Sequence, residues 1–497
     1  MIFDLIETLI DYAIKNELIV QEDEIYFRNR LLSFLNIDTL KEGNILNISF
    51  EEIIEKIDDY AVSKNLISNT VGQRDLFDTE LMSIFTDRPS NITKKFYTLY
   101  KENKSSATDY FYNYSIKTNY IRKYRVDKDL KWNKKSDKYG RIDITINLSK
   151  PEKDPKDIER QKNLPKSNYP ICLLCKENEG YKGRLDHPAR GNIRLIPLKL
   201  QNADFYLQYS PYSYYNEHCI ILSSEHKPMV INKDTIAKLL DFVEFLPQYF
   251  IGSNADLPIV GGSILAHEHF QGGKYRFPMQ DAKTIYEFKI NGFNDVTGKI
   301  LSWPLSVIRI ASKNKESLIE LFDKIFNKWI NYNDENAQIY AYTNGIRHNT
   351  ITPIARINDD GLFELDLVLR NNLTTEEHPL GLFHPHKEFH HIKKENIGLI
   401  EVMGLAILPS RLKEELHQIE EILLNNLDIK NYPNLEKHND WINSLKSKYK
   451  FTKDNITQIL KDEVSDIFLR LLEDSGVFKQ TEKGIKEFKN FISKLND

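Results

Sequence analysis

Two histidines and a glutamine alternate with other residues inside a glycine-bounded stretch, Gly261-Gly262-Ser263-Ile264-Leu265-Ala266-His267-Glu268-His269-Phe270-Gln271-Gly272-Gly273. In an extended chain, residues two apart project to one side, so His267, His269 and Gln271 are expected to form one polar row. Such a row suits chemistry at phosphorus. Imidazole, with an unperturbed pKa of ~6.5, is largely uncharged at neutral pH and can displace a leaving group at phosphorus to give a phosphoramidate. A neighbouring glutamine amide can donate to a non-bridging oxygen, and the flanking glycines let backbone N–H groups approach closely. The plainer alternative is a surface strand with two exposed histidines.

The chain that must hold this row has 497 residues, 41% apolar and 28% charged. Single cores stop growing near ~250–300 residues, so two or three packed units are expected. With 26 Phe and 26 Tyr and a net charge of −4, disorder is excluded as a description of the chain. Basic residues are interleaved with acidic ones, which argues against a nucleic-acid or membrane-surface role. Three cysteines, Cys172, Cys175 and Cys219, are too few for a disulfide framework and point to a reducing compartment, read as the cytoplasm. The first 19 residues carry Asp4, Glu7 and Asp11 and read as an amphipathic helix, not a signal peptide, and the run Leu257 to Ala266 is about half the ~20 residues that span a bilayer.

Periodicity divides the chain. Ile2, Ile6, Leu9 and Ala13, then Leu31, Leu32 and Leu35, follow helical spacing, which predicts a helical N-terminal region over 1–115. From Ile142 the period falls to two, with Ile142, Ile144 and Ile146 alternating and further strands expected near 193–198, 204–209 and 218–223. A helix through Ile236, Leu239, Leu240 and Val243 then leads to an apolar strand expected over Ile259 to Leu265. A similar block begins near Trp303, with a strand through Val307, a helix across Leu318 to Ile325, and strands near 351–357 and 363–369 joined by an Asn358-Asp359-Asp360-Gly361 hairpin. The reading is an α+β chain with sheet-bearing halves at 116–300, which carries the motif, and 301–410, followed by a charged helical region at 411–497.

The segment Ser253-Asn254-Ala255-Asp256-Leu257-Pro258-Ile259-Val260, running into His267-Glu268-His269-Phe270-Gln271-Gly272-Gly273, closely resembles the class II galactose-1-phosphate uridylyltransferases, distant members of the histidine triad superfamily. Gly180-Tyr181-Lys182-Gly183-Arg184, His187-Pro188-Ala189-Arg190, Tyr215-Asn216-Glu217-His218, Ile146 to Pro155 and His390 to Gly398 look like the same family, so the likeness spans nearly the whole chain. It implies two histidine-triad-like antiparallel sheet halves with packed helices and helical extensions at both ends. It also implies exchange of a uridylyl group between UDP-glucose and galactose 1-phosphate, in ping-pong fashion, with His269 as nucleophile. Gln271 stands where hydrolytic histidine triad relatives carry a third histidine. It cannot serve there as general acid or base, which favours transfer.

The same resemblance extends to binding residues. It makes Asn254 and Ser263 candidates for the nucleotide phosphates or ribose and Glu401 a candidate acceptor for a sugar hydroxyl, while Lys150, Lys153 and Arg190 are the cations expected to contact phosphate because short strands of the same half should bring them towards His269. Arg122, Arg125 and Arg184 are further cations in the family-like segments. Cys172-x-x-Cys175, a later histidine and His267 would make a tetrahedral zinc set like that of class I relatives, with the metal structural. His226 is the preferred third ligand and His218 the competitor. The alternative is that the cysteines are small buried hydrophobes. His384-Pro385-His386 lacks a following glutamine and reads as a loop or second metal site, while His348 could approach the active site from the second half. Class I relatives are dimers, so a homodimer is a further expectation. Two rival functions are retained: a histidine-triad-type nucleotide hydrolase or phosphorylase, and a noncatalytic zinc-stabilised binding protein.

Overall fold

The computed structural model describes residues 1–149, 157, 167–262 and 264–496. Seven helices open the chain: α1 (Ile2–Lys15), α2 (Glu24–Phe34), α3 (Phe50–Ser63), α4 (Val71–Ser83), α5 (Pro89–Glu102), α6 (Lys104–Lys117) and the single turn α7 (Lys123–Val126). Ser49 begins α3 with a reciprocal capping box to Glu52, which satisfies two otherwise orphaned N–H groups. The expected apolar stripes are buried: Ile6, Leu9 and Ala13 of α1 pack with Leu31, Leu32 and Leu35 in a core shared with α3 and α4. This core contains no sheet residue, so the first four helices form a cluster of their own.

After β1 (Leu130–Ser136) and β2 (Gly140–Ile146) come β3 (Ile196–Leu200), β4 (Ala203–Tyr209) and β5 (Cys219–Ser223), then helix α8 (Lys233–Phe245), β6 (Phe250–Gly252) and β7 (His269–Gly273). The same order follows again. Strands β8 (Thr284–Phe288), β9 (Thr297–Leu301) and β10 (Val307–Ser312) precede helix α9 (Lys315–Trp329). The short β11 (Tyr342–Thr343) and β12 (Ile346–Arg347) then lead to β13 (Asn349–Ile357) and β14 (Phe363–Asn371). Ten of these strands make one sheet in the order β3-β4-β5-β7-β6-β13-β14-β10-β9-β8. Each half is therefore a three-strand meander, a helix, and a hairpin whose second strand returns beside the meander, and every pairing is antiparallel.

The halves meet where β6 pairs with β13 and Gly252 stands opposite Ile354. In the ladders Gln271 is opposite Gly252, and Asp366 is opposite Ile354. An approximate two-fold through that junction thus matches Gln271 with Asp366, and, two residues earlier in each strand, His269 with Glu364. The same counting matches Asn254 with Arg356, and Ile220, opposite Gln271, with Arg309, opposite Asp366. The second unit opens with β8 and β9, strands that come before the start near Trp303 expected for it and that the sequence reading did not anticipate.

Chain order ends with α10 (Leu399–Val402), β15 (Leu405–Leu408), α11 (Arg411–Asn425), α12 (Asn439–Lys448), α13 (Ile456–Ser475) and α14 (Glu482–Ser493). Strand β15 joins β2 in parallel, giving the three-stranded sheet β1-β2-β15. One face of the large sheet packs on α8, α9, α5, α6 and α14 through residues such as Phe270, Leu367, Phe322 and Phe491. The other face is covered near its centre by β2, α10, β15 and α13, with Ile144, Ile354, Val402 and Phe468 in one core. Among the described residues, no helix is long and apolar enough to cross a membrane.

Among the described residues of the run Ile259 to Leu265 the expected strand is not formed. Ile259 takes a left-handed conformation (φ 74°), and an isolated bridge pairs Ala255 with Gly261, so the segment folds back as a loop between β6 and β7. The hairpin at Asn358–Gly361 is formed as expected, with Gly361 at φ 75° and the Asn358 carboxamide accepting from the Asp360 and Leu362 amides.

Candidate active site

His269 begins β7, and its strand register places its ring with Gln271 on the sheet face opposite α8. Both side chains line a cavity of about 940 Å³, walled by Asn147, Tyr212, Tyr214, His218 and Asn254 on one side and by the 393–401 segment and β15 on the other. The His269 ring is buried but reaches the cavity. Its Nδ1–H donates to the His267 carbonyl at 2.8 Å, and no hydrogen bond among the described residues engages Nε2. Burial pushes this imidazole down to about 4, so near neutral pH it is uncharged with its Nε2 lone pair available.

Gln271 is held by His218, whose Nε2 lies 3.2 Å from Gln271 Oε1. His218 is itself buried against Tyr214 and Tyr215, with ring centroids 5.5 and 4.4 Å away. Asn254, two residues beyond β6, accepts from the Leu399 amide at 3.0 Å through Oδ1, which ties the β6–β7 loop to the 393–401 segment. Gly262 is required here because a Cβ at that position would stand 2.6 Å from Asn254 Nδ2. Glu401 lies in the cavity wall. Its Oε2 accepts from the Gly398 amide at 2.8 Å and its Oε1 pairs with buried Lys393 at 2.9 Å.

The His267 ring departs from the expected row. It precedes β7, and its Nε2 bonds to the Ser223 carbonyl at 2.9 Å while Nδ1 faces Cys172 Sγ at 3.2 Å. Only its backbone carbonyl supports His269. Cys175 Sγ lies 3.3 Å from His226 Nδ1 and 3.5 Å from Cys172 Sγ, and the four ligand atoms all fall within 4.8 Å of one another. Cys172, Cys175, His226 and His267 thus form a cluster that could hold a metal ion, and the Ser223 carbonyl fixes which His267 nitrogen faces it. His218 does not belong to this cluster: it precedes β5 whereas His226 follows it, so the two sit at opposite ends of one strand.

The sequence reading missed the supports of the cysteine turn. The Asn178 amide donates to the Cys172 and Cys175 carbonyls at 2.9 and 2.7 Å, and His187 Nε2 lies 2.6 Å from Asn178 Oδ1. The His187-Pro188-Ala189-Arg190 segment was the available signal. Glu268, between the two histidines, points to the opposite sheet face, where buried Lys238 of α8 pairs with it at 2.7 Å. Lys393 and Asn396 were also missed, and both line the cavity.

Other expectations fall elsewhere. Arg190 lies over the Tyr120 ring and does not line the cavity. Arg122 and Arg125 pair with Asp75 and Asp78, and Arg184 pairs with Asp186 at 2.5 Å. His348 is an internally bonded histidine, its Nδ1 2.8 Å from Asn372 Oδ1, and it is absent from the cavity wall. His384 bonds to the Pro385 carbonyl and to Asn396, and His386 pairs with Asp474. Neither belongs to a metal-ligating cluster among the described residues. Lys150, Lys153 and Ser263 lie outside the described residues.

Comparison with known proteins identifies the family. The model of the galactose-1-phosphate uridyl transferase N-terminal domain matches residues 17–228, and that of the C-terminal domain matches residues 242–441. The galactose-1-phosphate uridylyltransferase of Fusobacterium nucleatum is 51% identical over 505 residues, and that of Clostridium acetobutylicum is 50% identical over 494, with 99% of each chain covered in both comparisons. The Bacillus subtilis protein of the same name is 46% identical, covering 99% of this chain and 98% of its own. Among solved structures, yeast Ap4A phosphorylase Apa2 overlaps 60% of this chain and 90% of its own at 10% identity and a TM-score of 0.35, too remote a likeness to carry an argument. With both domain models matched in order and half the residues shared end to end with such relatives, the chain belongs to the galactose-1-phosphate uridyl transferase family.

Proposed function

We propose that this chain exchanges a uridylyl group between UDP-glucose and galactose 1-phosphate through a covalent intermediate on His269. His269 Nε2 attacks the α-phosphorus of UDP-glucose, the P–N bond forms, and the bond to the bridging oxygen breaks, releasing glucose 1-phosphate. A phosphate oxygen of galactose 1-phosphate then attacks the same phosphorus, the P–N bond breaks, and UDP-galactose leaves. No proton need move at the reacting nitrogen. Nδ1 keeps its hydrogen throughout, and the His267 carbonyl stabilises the positive charge the ring acquires as a phosphoramidate. The observation that carries this reading is the tether itself: one ring nitrogen spent on a backbone carbonyl, the other open to a cavity.

In this reading Gln271 donates its amide to a non-bridging oxygen, Asn254 and Ser263 serve the nucleotide, and Lys150 and Lys153 supply phosphate contacts, while Arg190, held over Tyr120 away from the cavity, does not. Glu401 accepts from a hexose hydroxyl, with Lys393 holding its other face. For the Cys172, Cys175, His226 and His267 cluster we infer zinc. Separations of 3.2–3.8 Å among bonded pairs suit the edges of a tetrahedron with zinc bonds of ~2.0–2.3 Å, roughly 3.3–3.8 Å. Its role would be to hold the loop that carries His269 into β7. The cysteine usage and the sugar-phosphate substrates fit a cytoplasmic enzyme, and the family reading admits a homodimer. Hydrolysis is the weaker alternative because Gln271 supplies no acid at the leaving group.

Mass spectrometry of the protein after exposure to UDP-glucose without acceptor tests the proposal. Retained UMP mapped to His269 and discharged by galactose 1-phosphate is the expected outcome. Steady release of free UMP would overturn transfer in favour of hydrolysis, and metal analysis finding no zinc would remove the structural ion.

A further inference from the structure

His218 is buried to 3% exposure yet lines the cavity, and neither metal binding nor the two displacements uses it. Its backbone is fixed at both ends: Ser210 N–H donates to its carbonyl at 2.7 Å, and its own N–H donates to the Tyr215 carbonyl at 3.2 Å. Tyr215 is anchored in turn, its hydroxyl donating to the Gly272 carbonyl at 3.1 Å. On this fixed backbone the imidazole is enclosed by the Tyr214 and Tyr215 rings. Among the described residues the ring makes one side-chain hydrogen bond, Nε2 to Gln271 Oε1, while Nδ1 is enclosed and has no partner.

This asymmetry selects a tautomer. With the proton on Nε2, the ring donates to Gln271 Oε1 and leaves only an unbonded lone pair at Nδ1. With the proton on Nδ1, an N–H would be buried without an acceptor and two lone pairs would face one another, a cost of roughly 1–3 kcal/mol for the stranded donor. Burial also keeps the ring uncharged by pushing it down to about 4. The Nε2–H form consumes the Gln271 carbonyl oxygen, and the amide NH₂ is what remains to face the cavity. That amide nitrogen makes no hydrogen bond among the described residues.

We propose that His218 is a positioning residue that sets the rotamer and amide orientation of Gln271, so that the NH₂ group and not the carbonyl meets the transferred phosphoryl group. The inference rests on the uridylyl-transfer reading and extends it to a side chain that touches no reacting atom. A carbonyl oxygen aimed at a phosphoryl oxygen would be repulsive, so a free carboxamide would sample an obstructive arrangement that His218 forbids.

A double-mutant cycle tests this, read on single-turnover uridylylation and on steady-state exchange. His218→Phe keeps the aromatic contact with the tyrosines but removes the donor. It should lower the rate of both half-reactions about 10- to 100-fold with KM changed less than about threefold. Gln271→Ala should lower them about 100-fold or more. The double variant should be no slower than Gln271→Ala, because His218 acts only through that amide. His218→Gln, whose amide nitrogen occupies the place of Nε2, should restore most of the rate, whereas His218→Asn, which mimics Nδ1, should not. Multiplicative losses, an unimpaired Phe variant, or equal behaviour of the Gln and Asn variants would each overturn the assignment. Should the Phe variant not fold, the Gln and Asn pair decides the question. A wild-type protein that acquires no uridylyl group would instead defeat the transfer reading itself.

Discussion

The two sheet units share a strand order but have opposite interiors. On the first, the row around β7 is neutral and unfinished, with His269 Nε2 and the Gln271 amide both facing space. On the second, the matching positions are closed on themselves. Arg309 grips Asp366 through two nitrogens at 2.6 and 2.9 Å, and Arg356 bonds Glu364 at 2.8 Å and Asp366 at 2.5 Å. Burial would raise the Asp366 carboxyl, but the two guanidinium groups hold it below the usual carboxylate range. One fold position can thus hold a reactive group or a mutually satisfied ion network. What decides is whether neighbouring side chains leave a valence unused.

The largest expected effect breaks the contrast from the open side. His269→Ala should reduce exchange by about 10⁴-fold or more while leaving the unfolding midpoint within a few degrees of wild type, measured by coupled assay and thermal melting. Undiminished turnover would show that the open row is not the chemical one. From the closed side, Asp366→Ala should cost about 3 kcal/mol in denaturant unfolding, since two buried guanidinium groups lose the carboxylate they share and are left with Glu364 as their remaining anion, while exchange per folded molecule stays near wild type. A variant of normal stability would deny the ion network its structural role.

Acid should sharpen the comparison by a smaller amount. His218 has a folded pKa lowered to about 4 against 6.5 unfolded, so its contribution to stability is complete above pH 6.5 and is lost as pH falls towards 4. Asp366, lowered from 3.8, keeps its contribution until pH falls below that value. Between pH 6.5 and 5 the first row should therefore weaken while the second does not. His218→Phe should lose about 1–2 kcal/mol less stability over that interval than wild type, by denaturant titration at the two pH values. Equal losses in the two proteins would place the titration elsewhere.

Much of this was legible in the residues themselves. The change of period at Ile142 and the Asn358–Gly361 turn depend on local sequence, and both appear as anticipated. The run Ile259 to Leu265 misled because apolar content resembles a strand, whereas Pro258, Gly261 and Gly262 allow the fold-back that brings Asn254 to Leu399. The internal repeat was visible in element order but not in residues, because His269 and Gln271 correspond to Glu364 and Asp366. The motif pointed to His269, whose ring does line the cavity, but choosing between His218 and His226 required knowing that a strand of five residues separates them. Lys393 and Asn396 come to the cavity from more than 120 positions downstream of His269, a juxtaposition that no local pattern encodes.

The tether on His269 carries a stereochemical consequence. A ring with Nδ1 bound to its own chain two residues back offers a single lone pair, on a single side, to a single opening. In the double displacement we propose, His269 expels the first sugar phosphate in line and the second sugar phosphate then expels His269 along the same trajectory, each step turning the phosphorus inside out. Two such inversions cancel, so the α-phosphorus leaves with the handedness it brought.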